Sequence, residues 1–153
     1  MRNKFIVKAF LGCLILLVGL LPALAGEAFS GKVTQVKSAG LMVVDYGHGQ
    51  YVVRIVGIDV PKEGPIAAEA KQFLTKMVLG KVVRARFEGR NNEGEMVSRL
   101  FIGEPGKEVG IELLKAGLAR RQTNYDYKYG ELSKAEGQAR EARRGLWATA
   151  QPR

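Results

Sequence analysis

Cysteine and histidine are nearly missing from this 153-residue chain, which carries one of each, Cys13 and His48. No disulfide closes within such a chain, and no second histidine exists to share a metal. Long linkers, internal repeats and low-complexity tracts are also missing, which argues against a multi-domain or solenoid design. Acid is absent from residues 1–25, where Arg2, Lys4 and Lys8 precede an uncharged, mostly apolar run. That run, residues 9–25, falls short of the ~20 residues a membrane-spanning helix needs. It ends in Ala23-Leu24-Ala25, a small-x-small cleavage pattern. We therefore expect residues 1–25 to be a secretory signal peptide, cut before Gly26, and residues 26–153 to be one domain. That domain would be exported, periplasmic or secreted, with no membrane attachment after cleavage. Cys13 lies too early in the apolar run for a lipoprotein box, and cleavage would leave no thiolate nucleophile or ligand.

What is present is positive charge. Lys and Arg total 24 against 15 Asp and Glu, a formal net charge of +9, and only three of the bases fall in residues 1–25. A basic exported domain suits an anionic partner: nucleic acid, a cell-wall polymer or lipid head groups. Charge alone does not choose among them.

The first half of the domain reads as strands. Residues 29–36 form the first, and residues 41–45 and 51–58 flank Tyr46-Gly47-His48-Gly49-Gln50, whose glycines suit a hairpin turn. A turn histidine is solvated, so His48 receives no role. Ile66, Ala70, Phe73, Leu74 and Met77 recur at helical spacing and predict a helix over residues 66–78, ended by Gly80. Residues 81–87 alternate, with Arg84 and Arg86 on the polar side, and residues 96–102 form a fifth strand. A helix over residues 109–116 stops at Gly117. Leu132, Ala135, Ala139, Ala142 and Leu146 make one apolar stripe on a last helix. Five strands with helices packed on them predict an α+β, mainly β fold: a small Greek-key barrel of the oligonucleotide-binding class.

The densest local pattern is Val53-Arg54-Ile55-Val56-Gly57-Ile58-Asp59-Val60-Pro61. Arg54 and Asp59 are an odd number of residues apart, so an unbroken strand would face them to opposite sides. The strand must bend or finish before Asp59, and Gly57 and Pro61 are where it can. A cation and a carboxylate at a strand-to-helix junction suit either a metal-and-phosphate site or a salt bridge closing the strand.

These residues resemble the thermonuclease, or staphylococcal-nuclease-like, family. Residues 53–61, Glu69-Ala70-Lys71-Gln72-Phe73-Leu74, Leu113-Leu114-Lys115-Ala116-Gly117-Leu118-Ala119 and the tail from Tyr129 to Arg143-Arg144-Gly145-Leu146-Trp147 carry the likeness, in order, across residues 29–148. The resemblance implies a five-stranded oligonucleotide-binding barrel with three helices that cleaves nucleic-acid phosphodiesters with calcium. Two aspartates and a backbone carbonyl would hold the cation, a glutamate would act on the attacking water, and two arginines would brace the phosphate. Arg54 matches the first arginine, and Asp59 the second aspartate, the one retained calcium ligand.

The other positions depart from the family. Its Asp-Gly-Asp-Thr turn reads Lys37-Ser38-Ala39-Gly40 here, so a calcium aspartate becomes Ala39 and its neighbouring acid becomes Lys37. The catalytic glutamate becomes Lys62, and the second arginine becomes Glu95. Glu63, one residue past the glutamate position, is the single plausible substitute. Arg99 lies about 13 Å along a strand from Glu95, too far to replace an arginine there.

This pattern predicts binding without calcium-dependent cleavage, through Lys37, Arg54 and Lys62 with an exposed Tyr125–Tyr127 loop as a stacking platform, and Tyr46 and Tyr51 as further candidates. Arg54 and Asp59 would then form an ion pair. The alternatives are a working calcium nuclease rearranged around Asp59, Glu63 and Arg54, and a cell-envelope interaction module for a protein or anionic polymer.

Overall fold

The computed structural model describes residues 28–127 and 130–148; the expected leader, Cys13 and Tyr129 lie outside the described residues. Strands β1 (Ala28–Ser38), β2 (Leu41–Asp45) and β3 (Gln50–Ile55) form an antiparallel meander, and β5 (Val82–Arg90) and β6 (Met96–Ile102) add to the other side of β1. Parallel pairing of β3 with β6, Val53 to Met96 and Ile55 to Ser98, closes the five strands into a barrel. Alternation decides which side chains fill it. Val33, Met42, Val44, Val53, Val83, Ala85 and Leu100 point inward and are buried, while Lys32, Arg84 and Arg86 stay exposed. The pairing of β1 with β2 slips twice, between Val33 and Gln35 and between Val36 and Ser38, and such bulges bend a long strand around a small barrel.

Helix α1 (Pro65–Val78) buries Ala70, Leu74 and Val78 against the barrel, as its spacing predicts. Helix α2 (Val109–Lys115), preceded by the short strand β7 (Lys107–Glu108), packs on α3 (Glu131–Glu141). The barrel with three α-helices agrees with the architecture read from the sequence. Gly130 gives α3 no side-chain cap; Asp126 reaches over instead, accepting from the Leu132 and Ser133 amides at 3.2 and 3.3 Å and from the Ser133 hydroxyl. Burial pushes the Asp126 carboxyl up, but these bonds and the one from the Tyr127 amide outweigh it and hold it below the usual range.

Strands β1 and β5 run past their expected ends, to Ser38 and Arg90, and two further boundaries differ in ways that shape the site. The third strand ends at Ile55, because Gly57 turns the chain at φ +77°. A Cβ there would lie 2.6 Å from the Tyr125 ring and 2.7 Å from Leu132, so only glycine passes. Ile58–Asp59 then becomes β4, pairing with β8 (Arg120–Arg121) in a separate ribbon. The last helix stops at Glu141 although its apolar stripe runs on to Leu146. The chain crosses Gly117 at this point: the Leu146 amide donates to the Gly117 carbonyl at 2.8 Å, and Gly145–Trp147 finishes as a short 3-10 turn.

Candidate functional site

Two of the three turns that carry departures from the family pattern face one another. The β1–β2 turn supplies Ser38, Ala39 and Gly40, and the β4–α1 loop supplies Val60, Pro61 and Lys62. Between them lies a cleft of about 320 Å³ that also holds Arg54, Asp59 and Gln122. It meets a second hollow of about 360 Å³ along Ser38-Ala39 and Pro61-Lys62. That hollow is lined by Lys37, Lys62, Glu63 and Lys71. The structure thus brings Arg54, Asp59, Ala39 and Lys62 together, and puts Glu63 with the lysines rather than beside Arg54.

Arg54 is engaged, but not by Asp59. Its Nε donates to Oε2 of Glu95 at 2.5 Å, so the expected Arg54–Asp59 ion pair is replaced by Arg54–Glu95. The cause is barrel closure: Arg54 stands opposite Val97 in the parallel register, two residues from Glu95. Asn91 braces the glutamate from both sides, its Nδ2 donating to Oε2 at 2.7 Å and its Oδ1 accepting the Glu95 amide at 2.9 Å. The Arg54 hydrogen bond, helped by Asn91 and by the charges of Arg54 and Lys37, holds the Glu95 carboxyl below its usual range. Asp59 is exposed and faces Arg120 across the β4–β8 ribbon, and Arg120 lies over Trp147 at 5.5 Å. No ion pair to Asp59 forms among the described residues.

A calcium ion takes six to eight oxygen ligands. Around the cleft, Ala39 is buried and offers no side-chain oxygen, Glu95 is committed to Arg54, and Lys62 lines the same cleft as Asp59. Among the described residues no three His, Cys, Asp or Glu side chains cluster to hold a metal. The donor set does not fit the ion that the family pattern implies.

Residues 52–149 match the model of the staphylococcal nuclease homologue family. The chain belongs to that family. It is similar to a probable staphylococcal-like nuclease of Oryza sativa subsp. japonica and a staphylococcal-like nuclease of Arabidopsis thaliana. Each is 38% identical over 104 residues, covering 67% of this chain and 30% and 31% of the relative. A probable endonuclease of Podospora anserina is 33% identical over 117 residues, covering 63% of this chain and 41% of the relative. The chain therefore spans a third or so of the length of the curated relatives it matches.

Within this staphylococcal nuclease homologue, the tyrosine loop is not the exposed platform the sequence suggested. Tyr125 and Tyr127 are half-buried against the core, ring on ring edge-to-face at 5.8 Å. Tyr127 covers the Arg99 guanidinium, 3.6 Å from its ring centroid, and its hydroxyl donates to Glu108. Glu108 also takes both Arg99 bonds, at 3.2 and 2.6 Å. Burial, then the Glu108 hydrogen bond and charge, raise the Tyr127 hydroxyl far above its ordinary value. Tyr51 remains 37% exposed, tilted on Tyr46 at 5.7 Å. Burial pushes the Tyr46 hydroxyl up to about 12.

Sequence reasoning missed Lys71. Its signal was available: Lys71 lies four residues after Ala67 on α1, on the helix face that turns toward the Pro61–Gly64 loop.

Proposed function

We propose that this domain binds an anionic strand, nucleic acid in the first instance, along the cleft and the lysine-lined hollow, without cleaving it by the family's calcium mechanism. The observation that carries this reading is the Arg54–Glu95 pair. It ties the Nε edge of the guanidinium that would brace the phosphate to a carboxylate, at a cleft where Asp59 is the one lining carboxylate among the described residues. An arginine stabilising phosphoryl-transfer charge is worth about 10³–10⁵ in rate in other enzymes, and the carboxylate of Glu95 beside Arg54 works against that stabilisation. Binding has support of its own. Lys37, Lys62 and Lys71 line one hollow, and none is ion-paired among the described residues. Their ammonium groups are free to replace counterions on a phosphate backbone, at about −0.7 in the salt slope for each contact with a single strand.

The basic, apolar leader pattern of residues 1–25 supports export to the periplasm or beyond, where free nucleic acid or an anionic envelope polymer would be met. The test is release of acid-soluble nucleotides from denatured DNA by purified residues 26–153, with calcium and with chelator, beside a low-salt binding titration. Binding with no calcium-dependent release is expected. Calcium-dependent release that is lost in Asp59→Ala would overturn this reading in favour of a rearranged nuclease using Asp59, Glu63 and Arg54. Failure to bind any oligonucleotide at low salt would favour an envelope partner instead.

A further inference from the structure

Outside the cleft, the outer face of β5 and β6 gathers guanidinium groups around one ring. Antiparallel pairing sets Arg84 opposite Phe101 and Arg86 opposite Arg99, with Ser30 of β1 beside Arg84 and Lys32 beside Val82. Arg84 and Arg99 lie over Phe101, 5.6 and 5.3 Å from its centroid. Arg99 is committed to Glu108 and covered by Tyr127. Arg84 and Arg86 are exposed and hold no ion pair among the described residues. A hollow of about 260 Å³ opens beside Arg84 and Phe101, and it shares no residue with the cleft or the lysine hollow. The nearby carboxylates are Glu104 in that hollow and exposed Glu88 beyond Arg86.

We propose that this face is a second contact surface for single-stranded nucleic acid, continuing a strand held in the cleft; it rests on the binding reading above. Arg84 and Arg86 project from alternate positions of one strand, about 6.8 Å apart, a spacing that lets each meet a different phosphate of an extended chain. Phe101 restrains the Arg84 guanidinium beforehand, which lowers the side-chain entropy lost on binding. Strand β6 links the two surfaces. Glu95, just before it, sits on Arg54 in the cleft, and Phe101 lies six residues on, about 20 Å away along the strand. A short oligonucleotide fills the cleft alone, whereas a long one engages both surfaces at high effective concentration.

The experiment is fluorescence anisotropy at fixed low salt with oligothymidylates of about 4 and about 16 nucleotides, the two ends of what one such barrel covers. The variants are Arg84→Ala/Arg86→Ala and Lys134→Glu, which removes the same net charge from the exposed side of α3. In Arg84→Ala/Arg86→Ala, affinity for the long strand is expected to fall about tenfold and its salt slope to flatten by about 1.4, that is, two contacts at about 0.7 each. Affinity for the short strand, and both affinities of Lys134→Glu, should stay within about twofold of wild type, because Lys134 lines neither surface and Arg84 and Arg86 do not line the cleft. If wild type binds both lengths and the arginine variant matches it, or loses equally on both, the second surface is overturned and the cleft stands. If wild type binds neither, the binding reading falls and the second surface with it.

Discussion

Two arginine–glutamate pairs flank the same strand, β6, and burial separates their roles. In the cleft, Arg54 meets Glu95 at 2.5 Å with side chains 43% and 13% exposed. On the outer face, Arg99 meets Glu108 at 2.6 Å with side chains 18% and 5% exposed. The covered pair is fully furnished: Glu108 accepts from two Arg99 nitrogens and from Tyr127, and the tyrosine ring closes off water. Burial draws the Arg99 guanidinium down, but the Glu108 bond and charge more than restore it. The cleft pair leaves its guanidinium half open. The same chemistry is scaffold where an aromatic lid covers it, and leaves an arginine open to solvent where none does.

Breaking the covered pair should do the most damage. Glu108→Ala leaves the largely covered Arg99 guanidinium and the half-buried Tyr127 hydroxyl without their shared acceptor, and is expected to cost about 3 kcal/mol in urea unfolding. Arg54→Ala opens the other pair and should cost no more than about 1 kcal/mol in the same measurement, because water replaces the lost partner. Equal losses in the two variants would erase the contrast.

Between those extremes stands Gly57→Ala. The new methyl must displace the Tyr125 ring or Leu132 at a positive φ, for about 1–3 kcal/mol of overpacking and further backbone strain. Thermal melting would show it.

Smaller effects sharpen the role of the cleft pair. Glu95→Gln keeps the shape but removes the charge that holds Arg54, so oligonucleotide affinity should rise by a few-fold, about 1 kcal/mol or less, in an anisotropy titration. The subtlest effect is pH dependence. The folded Glu95 carboxyl is held below its ordinary 4.5, so its contribution to stability is fully present above that pH and is lost as pH falls through the folded value. Wild type should therefore exceed Glu95→Gln in stability near neutrality, with the difference shrinking in strong acid. A difference that grew on acidification would sink the assignment.

Much of the fold was legible in the sequence because period and punctuation are local. The strands Leu41–Asp45 and Met96–Ile102 fall where apolar runs bounded by turn residues place them, and Gly117 ends the helix that precedes it. The break before Asp59 was readable from an odd spacing and one glycine. That Ala39 and Lys62 would meet at one site was suggested by the resemblance, and both line the same cleft. What the sequence could not determine were relations across long loops. Arg54 and Glu95 are 41 residues apart, and only the parallel β3–β6 register that closes the barrel makes them partners instead of Arg54 and Asp59. Tyr125 and Tyr127 sit in polar sequence and look exposed, yet Gly57 makes room for one ring and Arg99 and Glu108 hold the other. Local chemistry chose the elements. Their closure, which sets burial and therefore the strength of every charge, decided which charges are structure and which remain free to bind.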